Sequence, residues 1–290
     1  MKNIAVIGAT GMLGNPVAKR FSDAGYNVTL LARDSKKAFD TFGPGFKLVT
    51  GDLQDVDSLK RLLSGQDELY LNLSVDQKSK QSDFQPEREG LANVLRAAQG
   101  ASIKRIGYIS SLVQFYQGQN GFNWWVFEIK RNAVAQVKDS GIPYSIFYPS
   151  TFMENFDKGE YIQGNKIILV GESKYKMHFV SGIDYAKQVV KAFQLPDGRQ
   201  EYVVQGLVGY TANEAAEVFL KRYSRKKLKI SRVPIGILKV LGAFSRKINF
   251  GAHIIEALNN YPEKFEAEKT WVDLGKPEVT LEDYISRVSV

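Results

Sequence analysis

Three glycines, Gly8, Gly11 and Gly14, recur every third residue in the opening stretch MKNIAVIGATGMLG. Ahead of them lies an apolar, β-branched run of strand length, 3–7, and behind them Val17, Ala18, Phe21 and Ala24 recur at helical spacing. A strand, a glycine turn and a helix start bring backbone close to a diphosphate. The charge of that diphosphate then meets unpaired N–H groups at the helix N-terminus. Gly8, Thr10, Gly11, Met12, Leu13 and Gly14 are therefore the candidate diphosphate loop. Glycines that serve only a tight turn are the competing reading.

The next chemical marker is Arg33, at the end of the strand-like run 27–32 (NVTLLA). In a nucleotide-binding α/β sheet this place reads the adenosine ribose. An acidic residue there holds both ribose hydroxyls and favours NAD(H), whereas a guanidinium offers a forked cation to a 2′-phosphate. NADP(H) is preferred on this ground, and Asp34, one residue on, keeps NAD(H) open. A third strand, 47–50, leads into Gly51-Asp52-Leu53 and a helix over 54–63 with a capping carboxylate near its start. A fourth, 68–75, leaves Leu73 and Ser74 at a carboxyl end, where cofactors pass in open α/β folds. Residues 84–99 have helical spacing, and a fifth strand, 105–111, exits at Ser110-Ser111.

Gly-x-x-Gly-x-x-Gly resembles the nucleotide loop of the short-chain dehydrogenase/reductase superfamily, in the form of its extended and atypical members. That resemblance implies Asp52 and Leu53 beside the adenine, with a helix cap as the alternative for Asp52, and a serine of the Ser110-Ser111 pair near the cofactor and the substrate oxygen. Residues 125–140 read as a helix, and Lys130 stands where typical members carry the lysine of Tyr-x-x-x-Lys. Four residues earlier, on the same face, stands Val126. Lys130 without its tyrosine can still bond the nicotinamide ribose and raise the local positive potential; an exposed helix lysine is the competing reading. A carbonyl reductase must also deliver a proton to a basic alkoxide, and valine has none to give. Unless Tyr116 or Tyr108 reaches in, ordinary alcohol chemistry is disfavoured. Quinones, cationic dyes and activated alkenes spread the arriving electron pair and need less from an acid.

Residues 112–125 are rich in aromatic, glutamine and glycine residues and read as a loop over the cofactor, with Tyr116 and Trp124 against a flat substrate and plain packing as an equal alternative. A sixth strand, 143–148, precedes PSTFMENF. GATGMLG, the serine pair, Lys130, SGIPYSIFYPSTFMENF and HFVSGIDYAK together are similar to the NmrA-like, atypical branch of the superfamily over roughly residues 1–225. The likeness implies Pro149, Thr151 and Phe152 at the nicotinamide end and Ser111, Met153 and Phe156 toward substrate, with core packing the alternative for the last two. The chain departs from the branch pattern at Tyr148, where arginine is frequent, and at Ser150-Thr151, where glycine is frequent. Members of the branch include reductases of quinones, triphenylmethane dyes and isoflavone-type alkenes, and dinucleotide sensors without turnover.

These elements imply an α/β fold, a Rossmann-type doubly wound parallel sheet with a small mixed α/β C-terminal lobe. The sheet occupies 1–155, with later segments such as 176–205 returning to it, and the predominantly substrate-side lobe occupies 156–290. Short strands are expected at 167–170, 176–180 and 201–205, a helix at 182–193, a capping box at Thr211 to Glu214, one lobe helix covering the pocket at 234–248, with a basic amphipathic helix touching a membrane as the weaker alternative for that stretch, and a closing helix from Thr280. The 290 residues contain no cysteine and only two histidines, His178 and His253, so disulfide and thiol chemistry are excluded and no metal site is expected. No apolar run approaches the roughly 18 residues of a membrane span, and a core strand directly after Met1 leaves no room for a signal peptide, so a cytoplasmic location is expected. Net charge is +8, with the dense basic run at 222–229 read as a solvated helix end and not a nucleic-acid footprint. Two functions follow as expectations. One is an NADP(H)-dependent reductase of a conjugated or quinone-like small molecule; the other is a non-catalytic NADP(H) sensor whose lobe meets a protein partner. Sugar-nucleotide chemistry is disfavoured by the missing tyrosine, and a homo-oligomer is compatible with the chain.

Overall fold

A computed structural model describes residues 2–159, 161–196 and 198–289. The first half alternates strand and helix: β1 (Asn3–Ile7), α1 (Gly14–Asp23), β2 (Asn27–Ala32), α2 (Ser35–Phe42), β3 (Lys47–Thr50), α3 (Val56–Leu63), β4 (Glu68–Leu71), α4 (Leu91–Gly100), β5 (Arg105–Ile109), α5 (Trp125–Asp139) and β6 (Tyr144–Pro149). There follow β7 (Ile162–Gln163), β8 (Lys166–Val170), α6 (Gly182–Gln194), β9 (Arg199–Val204), α7 (Ala212–Arg222), β10 (Lys229–Val233), α8 (Ile235–Gly242), α9 (Arg246–Asn260), α10 (Glu268–Leu274) and α11 (Leu281–Val288).

Seven strands pair in parallel in the order β3-β2-β1-β4-β5-β6-β9. Their central members are apolar runs buried on both faces, as parallel strands roofed by helices must be. One face carries α1 and α6, through Phe21, Tyr185 and Phe193. The other carries α3, α4 and α5, through Leu59, Leu63, Val94, Ala98 and Val134. Strand order reverses between β1 and β4, and Ile7, opposite both Leu31 and Leu71, ends the strand beside that switch point. A smaller mixed sheet, β10-β8-β7, has β10 parallel and β7 antiparallel to β8. Its core joins Phe219 of α7 and Ile285 of α11 to Met153 and Phe156 from the exit of β6.

Several elements differ from the sequence reading. The fourth strand stops at Leu71, and just past its end the Asn72 N–H still donates to the Ile7 carbonyl (3.0 Å). Residues 84–99 begin as a π-helical turn, Pro86–Gly90, before regular helix starts at Leu91. Segment 176–180 is no strand but a wedge with single bridges on two sides, Met177 to Tyr210 and Val180 to Phe152. The stretch 234–248 breaks into α8 and α9, because Ser245 caps a new helix by accepting from the Ile248 N–H, and Gly242 sits where a Cβ would lie 3.0 Å from the Asn249 Cα. Strand β10 and helix α10 were not anticipated. Among the described residues no helix is long and apolar enough to cross a membrane.

Candidate functional site

The glycine loop fills the gap between the ends of β1 and β4. Gly8 adopts φ +83°, in the left-handed region, and a Cβ on it would lie 2.1 Å from the Asn72 carbonyl oxygen. On Gly14 a Cβ would lie 2.1 Å from the Gly8 carbonyl oxygen. Gly11 is less constrained: its N–H donates to the Gly8 carbonyl (3.2 Å) and its Cβ position is 3.3 Å from the same oxygen. Asn72 Nδ2 donates to that carbonyl too (3.3 Å), so Asn72 braces the loop from the neighbouring strand. Sequence reasoning passed over it as one more residue of a longer strand; its signal was a single amide side chain closing an apolar run. Helix α1 starts at Gly14 with no side-chain cap and no acidic residue in its first turn. Thr10, Gly11 and Met12 are exposed, while Leu13 packs against the core. The loop thus presents backbone and a bare helix start to the outside, the arrangement that accepts an anion.

Arg33 is exposed at the end of β2, and among the described residues no carboxylate pairs with it. Its neighbour Asp34 is committed elsewhere, accepting from the Lys37 N–H (2.9 Å) as the cap of α2. Asp52 is not the helix cap: its carboxylate closes a turn by accepting from the Gln54 and Asp55 N–H groups (2.7 and 3.3 Å), and Asp55 caps α3. Leu53 packs on the Cα face of Gly90, where a Cβ would come 2.8 Å from the Leu53 Cδ1. Leu73 is buried and Ser74 exposed.

Lys130 is not an exposed helix lysine. Its Nζ donates to both oxygens of Glu87, at 2.8 and 3.1 Å. Glu87 is fully buried in the π-helical turn before α4 and also accepts from Tyr108 OH (2.7 Å). Burial, reinforced by the adjacent Glu87 charge, pushes the Tyr108 phenol well above its ordinary range. Tyr108 is therefore a fixed donor to Glu87 and not a proton source for a substrate. Tyr116 is buried against Phe122, with ring centroids 5.0 Å apart. Trp124 is buried against Phe250 and stacks on His253 at 5.3 Å. Both belong to a closed aromatic cluster with Val126, so the packing alternative describes them, and Phe115 is the exposed ring of this segment. Ser110 is buried and accepts from Gln114 Nε2 (2.9 Å), and Ser111 is half-buried.

Beyond β6, Pro149 pairs with Val204, Thr151 is buried with its hydroxyl toward the Met177 sulfur (3.2 Å), and Phe152 meets Tyr185 edge-on at 5.4 Å. Met153 and Phe156 lie in the core of the smaller sheet, Phe156 stacked on Phe219 at 4.9 Å. Core packing thus accounts for both. Tyr148 turns to Glu201 (2.7 Å), which Lys138 also holds (2.8 Å). A second buried carboxylate, Glu263, also escaped the sequence reading. It accepts from Ser150 Oγ (2.8 Å), the His178 N–H (3.1 Å) and Gln205 Nε2 (2.8 Å), and ties the C-terminal segment to the carboxyl ends of β6 and β9.

A glycine-braced loop at the switch point of a seven-stranded parallel sheet defines a Rossmann-type protein. More narrowly, the model of the NmrA-like family matches residues 1–285, and the chain belongs to that family. The photosystem II assembly factor Ycf39 of Trieres chinensis is 25% identical over 266 residues, covering 88% of this chain and 80% of that protein. Among solved structures, an NADPH-dependent quinone oxidoreductase from Escherichia coli complexed with NADPH superimposes with a TM-score of 0.75 at 21% identity, over 98% of this chain and 99% of that one. A nucleoside-diphosphate-sugar epimerase from Staphylococcus aureus gives 0.78 at 18% identity, over 98% and 99%.

Proposed function

We propose that this chain binds NADP(H) and reduces a conjugated or quinone-like small molecule by direct hydride transfer. The observation that carries the reading is the loop itself: side chains are barred from Gly8 and Gly14 by backbone 2.1 Å away, and what they leave open is the uncapped start of α1. Those residues fit a diphosphate. Arg33, with which no carboxylate pairs among the described residues, fits a 2′-phosphate better than a bare ribose, with NAD(H) the weaker ligand. Asp52 and Leu53 take the adenine side, Leu73, Ser74 and Ser110 follow the cofactor along the strand ends, and Pro149, Thr151 and Phe152 border the nicotinamide. When bound, the reduced nicotinamide supplies the hydride. Lys130, held by Glu87, orients the ribose and keeps positive charge near the acceptor, while Ser111 is the hydroxyl on the substrate side. With Val126 in place of an acid and Tyr108 committed to Glu87, the chain supports acceptors whose reduced form is a stabilised anion. The quinone oxidoreductase likeness supports the same chemistry, and the epimerase likeness carries less weight because no tyrosine precedes Lys130 by four residues.

Calorimetric titration with NADPH and NADH, followed by NADPH oxidation in the presence of a quinone panel, tests this. Tight NADPH binding with turnover of at least one quinone is expected; no heat with either nucleotide would sink the proposal. A second reading, nucleotide binding without turnover, is favoured by the Glu87 contact that already satisfies the Lys130 ammonium and by the likeness to an assembly factor. Tight binding, silence across the panel, and recovery of a protein partner that depends on the nucleotide's redox state would select it.

A further inference from the structure

The positive charge of this chain is not spread evenly. Residues 221–250 hold ten lysines and arginines and no aspartate or glutamate, leaving 29 basic and 31 acidic residues elsewhere. Without that segment the molecule is slightly acidic. Within it lies α8, whose sequence IGILKVLG is among the most apolar of the chain, yet its only buried residue is Gly242. Ile237, Val240 and Leu241 are 51%, 65% and 47% exposed, and Phe244, just past the helix end, is 88% exposed. Their spacing of three and four puts Ile237, Val240 and Leu241 on one face of α8, and Phe244 follows in the turn that closes the helix, its N–H donating to the Leu241 carbonyl (3.1 Å). The opposite side of α8 rests on α9, so the expected pocket cover is instead an outward ridge. Arg232, Lys239, Arg246 and Lys247 flank it and are exposed, and Arg246 Nη1 reaches the carbonyl of Lys78, another exposed lysine (3.3 Å).

We propose that the α8 ridge, with Phe244 at its tip, seats this protein on an anionic lipid bilayer surface. A short helix with a continuous apolar face and basic flanks has the composition of an interfacial contact that lies on a membrane without crossing it. Apolar side chains enter the acyl boundary while the cations meet anionic headgroups. A nucleic acid would use the charge and leave the aliphatic face in water, and a second copy of the chain would bring ten like charges into apposition. This surface is independent of the redox chemistry proposed above.

Sedimentation with vesicles of phosphatidylcholine, alone or mixed with phosphatidylglycerol, tests the inference on the full chain. The protein is expected to sediment with the anionic vesicles only, and less as salt is raised. The double variant V240S/F244S is expected to lower that partitioning by about tenfold or more. Both side chains are exposed, so its melting temperature and NADPH binding should match the parent, which separates lost docking from lost folding. Failure to sediment with anionic vesicles, equal binding to neutral ones, or undiminished binding by the double variant overturns the proposal. Self-association that the same two substitutions dissolve, in a protein that ignores vesicles, would assign the ridge to a second copy instead.

Discussion

At the scale of single residues, Glu87 carries more than its place in the sequence implies. A carboxylate without exposed surface is tolerated because Lys130 and Tyr108 both donate to it. Glu87→Gln leaves the lysine with a neutral partner and should cost about 2–3 kcal/mol, discounted from the fully buried case because Lys130 keeps some solvent contact. Urea unfolding of the single variant and of E87Q/K130M reads this: a double variant more stable than E87Q identifies the stranded cation as the cause. Gly14→Ala adds a Cβ where the Gly8 carbonyl stands 2.1 Å away, so the loop must shift. NADPH affinity should fall about tenfold or more, since the donors must face the diphosphate closely; an unchanged dissociation constant would refute the loop assignment. Glu154 supplies a pH signature. It is buried under the Gly182 N–H (2.9 Å), and burial raises its carboxyl above the ordinary value of 4.5. Between the ordinary and the raised value the folded protein holds a proton that the unfolded chain has lost, so stability falls as pH climbs through that window and then levels. Glu154→Gln should remove that descent, and identical urea midpoints against pH for parent and variant would contradict it.

At the scale of elements, what the sequence made legible was what local chemistry decides. Thr211 and Glu214 form the expected reciprocal capping box, and the first strand, glycine turn and helix fall where the apolar period places them. Thr211→Ala should lower the unfolding free energy by about 1 kcal/mol, measured by denaturant titration with the matching box at Thr280 and Asp283 left intact as a reference. Features decided by distant partners stayed hidden. Nothing near Asn72 announces that its amide will brace Gly8, because the two residues are 64 apart and meet only when β1 and β4 pair. The π-helical turn at Pro86–Gly90 carries no local mark either; it delivers Glu87 beneath Lys130, 43 residues on. The break at Gly242 to Ser245 was written in two small residues, but an apolar run on both sides of them reads as a single buried helix unless the solvent face is known.

At the scale of the molecule, the two halves of the chain share one core beside the glycine loop. Helix α6, from the second half, packs on α1, and Tyr185 OH meets Tyr70 OH at 2.8 Å within the buried layer of the sheet. The single bridge from Val180 to Phe152 and the Glu263 contacts of Ser150 and Gln205 tie the later segments to the same strand ends. A ligand at the loop therefore stabilises material drawn from the whole sequence, and its effect should appear as a shift of one transition and not as protection of the N-terminal half alone. At a hundredfold excess over its dissociation constant NADPH should add about 2.7 kcal/mol, a rise in melting temperature of roughly 2–4 °C for each kcal/mol or slightly less at this chain length. NADH at the same concentration should raise it less, because Arg33 then has no 2′-phosphate to meet. Arg33→Ala should bring the two shifts together by reducing the NADPH effect alone. Equal shifts in the parent protein would remove the guanidinium from the recognition site, and two separate melting steps, with only the first moved by NADPH, would show that the shared core does not bind the halves into one cooperative body.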